Sequence, residues 1–346
     1  MNKLFLIGNG FDLAHGLKTR YSDFLLWYLN EITGKVLIRP PYFEDGLVKL
    51  ELHASPPKDF CSITEFNEFL KGNGQLKCKN DFFKRLIDIS TDFNWVDIEY
   101  EYYKELRKAY DLVFNDIRTL DYMKDVNDCL KQIKEKLIEY LQTIKIEKPN
   151  RQIENHFFHD FSEMDFDDYK VLYLNFNYTN TIDLYSQQLY SDNVSQIVIN
   201  IHGEIRNPEN PIIFGYGDEM DEYYSKIENL NINEFLENMK SFGYHKTRNY
   251  KGLKNFLDDD EYKVSIMGHS CGLSDRVLLN SIFCNKKEHC KEIRIFYYLK
   301  PDGQNDFIEK TMEISRHFPL SEKDRMRNII VPLEDSTPLI HNKRIK

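Results

Sequence analysis

Hydrophobic positions in this chain follow two spacings. Leu4–Ile7 is a short, uniformly apolar run that stops at Gly8-Asn9-Gly10, as expected of a strand covered on both faces of a parallel sheet. A helix is expected to follow over about 12–30. Further on the spacing becomes helical. Leu106, Tyr110, Val113, Ile117 and Leu120 step by 4-3-4-3 residues, and Leu130, Ile133, Leu137, Leu141 and Ile144 by 3-4-4-3. Each set is one apolar face of a long amphipathic helix. Asp121 and Asp125 mark the break between the two, and Pro149-Asn150 ends the second. Short β-branched or aromatic runs return at 170–176, 196–201, 212–214, 262–267, 293–299 and 328–333. Helical stretches at 179–190, 219–241, 274–283 and 305–318 separate several of them.

Strands alternating with helices imply an α/β fold, a Rossmann-like, mostly parallel sheet with helices on both faces. The first strand joins this sheet from far away in sequence, so the helical region is a large insertion after the first strand-helix unit. The expected division is 1–60 and 166–346 for a nucleotide-binding α/β domain and 61–165 for the insertion. Residues 34–58, with Pro40-Pro41 and Pro56-Pro57, read as a connection with room for a short strand or hairpin.

Composition narrows the function. The chain has 346 residues and a net charge of −10, which argues against gripping nucleic acid, because phosphate contacts need clustered Lys and Arg. Six cysteines contain no Cys-x-x-Cys pair, and Cys284, His289 and Cys290 lack zinc-knuckle spacing. Reduced thiols and no metal are therefore expected. No apolar run approaches the ~20 residues of a membrane span, and Leu4–Ile7 is too short for a secretory leader. These readings predict a cytoplasmic protein with no membrane partner.

Ligands of parallel sheets bind beyond the carboxyl ends of strands. Those ends carry Gly8-Asn9-Gly10-Phe11-Asp12, Asn175-Phe176-Asn177-Tyr178-Thr179, His202-Gly203, Gly215-Tyr216-Gly217 and Gly268-His269-Ser270-Cys271-Gly272. The opening Gly-x-Gly before a helix suits an anion, although a full dinucleotide fingerprint would want a small residue where Leu13 stands. Glycine occurs 15 times, and eight of these, at 8, 10, 16, 203, 215, 217, 268 and 272, lie in or beside such segments. That concentration suggests one cleft where backbones approach something closely. Asn177 and Asn180 are equally readable as turn or cap residues, His202 as a turn histidine and Asp97 as a helix cap. Gly268-x-Ser270-x-Gly272 also matches a nucleophile elbow, with Asp302 and His341 following in hydrolase order.

Assembled, these segments resemble the AbiH family of bacterial abortive-infection, anti-phage proteins. The run Leu-Ile-Gly-Asn-Gly-Phe-Asp-Leu-Ala-His-Gly-Leu at 6–17 carries the likeness most specifically. Asn175–Thr179, Ile201-His202-Gly203 and Gly268-His269-Ser270 with Asp275 add to it. A more distant likeness is to sirtuin-like NAD-binding domains. Gly8–Asp12 with Gly16, then Asn177-Tyr178-Thr179, His202-Gly203 and Gly268-His269-Ser270, are similar to their motifs in order. Asp12, Lys18 and Thr179 depart from the pattern, and the absent Cys-x-x-Cys module makes protein deacetylation a poor fit.

The resemblance implies binding of NAD or a related nucleotide, as substrate or ligand, with hydrolysis of its glycosidic bond. Gly8, Asn9, Gly10 and Phe11 would hold the pyrophosphate. Asn177 would orient ribose or water, His202 would be the base, and Asp12 would face the positive charge at C1′. Gly203, Gly268, Ser270 and Asp275 would complete the nucleotide site. Two alternatives stay open: a non-catalytic nucleotide-sensing or partner-binding module, and a serine hydrolase using Ser270. A phage or host protein trigger and a homo-oligomer are compatible partners.

Overall fold

The structure is a computed structural model that describes residues 1–38, 42–93, 97–113, 119–162, 169–186, 194–217 and 219–341. The chain opens with β1 (Asn2–Ile7), α1 (Asn9–Ala14), α2 (Tyr21–Ile38), β2 (Tyr42–Glu44) and β3 (Val48–Leu52). Next come α3 (Ile63–Asn73), β4 (Gly74–Cys78), α4 (Asp81–Phe93), α5 (Ile98–Leu112), α6 (Thr119–Leu141) and α7 (Arg151–Ser162). The sheet resumes with β5 (Tyr169–Asn175), α8 (Asp183–Ser186) and β6 (Val194–Asn200), followed by α9 (Glu222–Glu228), α10 (Lys240–Gly243) and α11 (Asn249–Asp259). Then follow β7 (Tyr262–Met267), α12 (Arg276–Phe283), β8 (Cys290–Phe296), α13 (Phe307–Arg316) and α14 (Lys323–Ile329).

The main sheet has the order β6-β5-β1-β7-β8, and all its pairings are parallel. Ranked by sequence within the sheet this is the doubly wound order, with its switch point between β1 and β7. β1 lies at the centre and every residue of it is buried. Its side chains alternate between two cores, as a strand's period of two requires. Leu4 and Leu6 pack with residues of α11, α12 and α13 such as Leu253, Leu279 and Ile314. Phe5 and Ile7 pack with Phe157 of α7 and Tyr173. Helices therefore cover both faces, and the α/β reading stands. A third core joins α2 to the helical region and to Tyr216, Phe235 and Met239.

Several expected boundaries change. The opening helix is two helices separated by residues 15–20, with Gly16 at φ 76°, a backbone that no regular helix contains. The Leu106–Leu120 face is not one helix: α5 ends at Leu112 and Leu120 belongs to α6, while Ile117 lies outside the described residues. Asp121 and Asp125 consequently sit inside α6, which ends at Leu141, before Pro149. The stretch 219–241 is broken into short helices, and of 179–190 only α8 is helical among the described residues. Runs 212–214 and 328–333 are not strands of the sheet; only single bridges, Tyr216 to Met239 and Ile293 to Ile330, form near them. The small antiparallel sheet β2-β3-β4 pairs residues 42–44 with 49–51 and residues 48–52 with 74–78. The helix α11 had no counterpart in the expected pattern.

Candidate functional site

The glycines that follow β1 and β7 face each other across the switch point. Gly10 N donates to Gly268 O at 2.9 Å, Gly8 N to Met267 O at 3.2 Å, and Phe11 N to Gly8 O at 2.8 Å. A Cβ on Gly8 would lie 2.4 Å from His269 Cα, and one on Gly268, where φ is 77°, would lie 2.1 Å from Phe11 N. What these backbones approach closely is each other. The amides of Gly10 and Phe11 thus each already donate to a protein carbonyl. Asn9 ties the turn to the next loop, its Nδ2 donating to Thr19 O at 3.2 Å.

Asp12 and Asn177 meet behind this turn. Asn177 Nδ2 donates to Gly8 O at 3.0 Å, and Thr179 Oγ1 donates to Asp12 Oδ2 at 2.6 Å. Asp12 Oδ1 is buried with no hydrogen bond of good geometry. Burial raises the Asp12 carboxyl above its ordinary range, while the nearby Thr179, Thr181 and Asn177 side chains oppose that rise. The hydroxyl of Tyr21, at the start of α2, is a second buried polar atom without a partner.

A charged cluster forms the opposite wall. Asp275, just before α12, places Oδ1 3.0 Å from His202 Nε2 and Oδ2 3.6 Å from His269 Nε2. The His202 contact is close without reaching hydrogen-bond alignment. His269 Nδ1 accepts from Cys271 N at 2.9 Å, so its neutral ring carries the proton on Nε2, facing Asp275. Lys240 Nζ reaches Asp275 Oδ1 at 2.9 Å and Glu99 Oε2 at 2.7 Å. Segments 215–217 and 238–240 pair to hold it there, Tyr216 N donating to Asn238 O and Lys240 N to Tyr216 O.

The protonation states follow from this packing. Burial favours a neutral Asp275, yet Lys240 and the two imidazoles outweigh it and hold the carboxyl well below the usual range. Burial opposes the Lys240 charge, but Asp275 and Glu99 keep its ammonium above ordinary lysine values. Glu99 is pushed up to about 7 by burial, with Lys240 pulling the other way. Burial lowers His202, and the Lys240 charge lowers it further; burial also lowers His269. Two neutral imidazoles thus flank one ionised carboxylate.

Both walls belong to one cavity of about 620 Å³ beyond the carboxyl ends of β1, β5 and β7, a size suited to a small organic ligand. Of the expected residues, Gly8, Asn9, Gly10, Asp12, Asn177, His202, Gly268, Ser270 and Asp275 line it. Phe11 does not; it is buried among Phe157, Tyr185 and His15. Gly203 does not either. Its φ of 88° and the Pro211 carbonyl 2.4 Å from its Cβ position make it the turn that delivers His202. Sequence reasoning missed Tyr21, Glu99, His269 and Lys310 at the wall, and Lys240 behind it. Among the described residues no three His, Cys, Asp or Glu side chains are placed to hold a metal ion.

The hydrolase triad is not assembled. Ser270 reaches the cavity, but Asp302 accepts from Gln304 N in an exposed turn and His341 N is bound to Gln152; neither lines the cavity. The positive φ falls on Gly268 and Cys271 rather than Ser270, so the strained elbow geometry is absent.

The fold and site together define an α/β protein with a ligand-sized cavity at the carboxyl ends of a doubly wound parallel sheet. Residues 4–298 match the family described as bacteriophage abortive infection AbiH, and the chain belongs to that family. No curated protein matches it. Among the described residues no helix is long and apolar enough to cross a membrane.

Proposed function

We propose that this abortive-infection protein binds NAD or a related nucleotide in the cavity and hydrolyses its glycosidic bond. The observation that carries the reading is the convergence of Asp12, Asn177 and His202 on one cavity, although 190 residues separate the first from the last. Buried polar atoms without partners are rare in folded proteins. Asp12 Oδ1, on a residue that lines the cavity, is therefore a natural partner for a hydroxyl of a ligand.

The chemistry needs a base that is neutral near pH 7 and a site that tolerates positive charge at C1′. A neutral His202 beside ionised Asp275 supplies the first. It takes a proton from water as the water oxygen bonds to C1′, and the C1′–N electron pair leaves with nicotinamide. The Asp12 carboxyl supplies the second, and Asn177 orients the ribose. With the amides of Gly8, Gly10 and Phe11 bonded within the protein, Arg20 and Lys310 at the wall are the cations for the phosphates. Incubating the purified protein with NAD, NADP and ATP and identifying products tests the reading; intact nucleotides in every case, with phage trigger present, overturn it.

One observation favours a second reading, nucleotide sensing without turnover. Glu99 of α5 is tied through Lys240 to Asp275, so a ligand in the cavity touches the helical region directly. Tight binding with no product distinguishes this case.

A further inference from the structure

Lys240 is not part of any motif, yet its side chain has 0% exposure and both its ion pairs are at the cavity. One carboxylate is Glu99 from α5; the other is Asp275, which also faces His202 and His269. The backbone is shaped to admit it, since a Cβ on Gly217 would stand 3.2 Å from Lys240 Cβ.

We propose that Lys240 is the positioning residue of the site: it holds Asp275 ionised and oriented, balances its charge, and so keeps His202 neutral and able to accept a proton. This rests on the reading of His202 as the base. An ionised carboxylate 3.0 Å from an imidazole favours the protonated ring. Without a compensating cation, the Asp275 carboxylate pulls His202 toward the imidazolium, with burial left as the main opposing cause. The ammonium of Lys240 on the same carboxylate oxygen removes that tendency. The groups that face this cluster are Asp97, the cap before α5, and Glu99 within it, Tyr178 after β5, Tyr244 after α10, His269 after β7 and Lys310 of α13. Glu99 completes the balance on the far side of Lys240, so the helical region takes part in setting the state of His202.

The test is a ring titration of His202 by NMR in the full chain, compared among wild type, Lys240→Met and Lys240→Arg. Lys240→Met is expected to raise the His202 midpoint by about one pH unit, a tenfold change in the neutral-to-charged ratio, and Lys240→Arg to restore the wild-type value. Where NAD is turned over, the acidic limb of the rate profile moves by the same amount with little change in KM. An unmoved midpoint in a folded Lys240→Met variant overturns the proposal. If that variant does not fold, the wild-type ammonium signal, assigned by its loss in Lys240→Arg, decides. It should persist as pH is raised beyond the point where exposed lysines lose theirs; loss together with them overturns the proposal. Because the titrations need no substrate, they still answer if NAD is left intact, in which case the proposed activity fails alone.

Discussion

The amide of Gly10 donates to the carbonyl of Gly268 at 2.9 Å, locking the opening turn of the chain to the turn after β7. In a doubly wound sheet the crevice at this switch point is where a dinucleotide usually meets the backbone. Here the two turns fill it with each other, and the cavity opens beside them. Gly268→Ala should therefore be severe, because φ is 77° and the new Cβ would meet Phe11 N at 2.1 Å. A stability loss of about 2 kcal/mol or more is expected from overpacking and strain, read as a lower denaturant midpoint. Gly272→Ala, with only Ser270 Oγ at 3.6 Å, should stay within about 0.5 kcal/mol.

Asn177 has a structural duty as well as a proposed catalytic one. Its Nδ2 is bonded to Gly8 O at 3.0 Å, and truncation removes that bond while the carbonyl keeps Phe11 N as a donor. Asn177→Ala should cost about 1 kcal/mol of stability in addition to activity. Comparing thermal unfolding with turnover separates the two, and an unchanged midpoint would show that the Gly8 contact carries no weight.

A fluorophosphonate probe should leave Ser270 unlabelled. Its hydroxyl lies 3.4 Å from Gly272 N, and neither Asp302 nor His341 reaches the cavity. Labelling at Ser270, seen by mass spectrometry, would restore the hydrolase reading.

His317 gives a pH signature that one variant isolates. Its Nε2 donates to Cys271 O at 2.8 Å, and burial lowers its pKa from 6.5 to about 4. The unfolded chain thus binds a proton that the folded chain refuses across this window. The contribution of neutral His317 is complete above 6.5 and is lost as pH falls toward 4, by about 3 kcal/mol in total. In His317→Asn that decline should vanish, so the stability difference between wild type and variant should shrink or reverse on acidification. Buried Asp12, Asp97 and Glu99, whose carboxyls are raised, act in the opposite sense in both proteins and cancel in the comparison. Parallel curves would show that His317 is not held neutral.

The strand ends were the legible part of the site. Asn177, His202, Ser270 and Asp275 follow apolar runs short enough to be recognised as buried strands, and the carboxyl ends of parallel strands share one edge. Lys240 and Glu99 were not legible. Lys240 lies in a polar stretch that reads as one helix but folds as three short pieces, and its partners are 141 residues upstream and 35 downstream. His269 sits inside Gly268-His269-Ser270, where the Gly-x-Ser-x-Gly spacing points to the serine rather than to the histidine. The glycines misled in a specific way: their spacing showed that backbones come close, without telling whether the second backbone belongs to a ligand or to the protein. The helical face from Leu106 to Leu120 kept its phase across the end of α5, so periodicity alone could not reveal the break.

The proposed function gives His202 the role of base in glycosidic cleavage of NAD. The most direct measurement is release of nicotinamide from NAD by wild type and by His202→Ala, in the presence of phage trigger, with folding of both verified. The expected result is turnover by wild type and a loss of at least about a hundredfold in the variant. Equal turnover by the two proteins, or none by wild type, would contradict it.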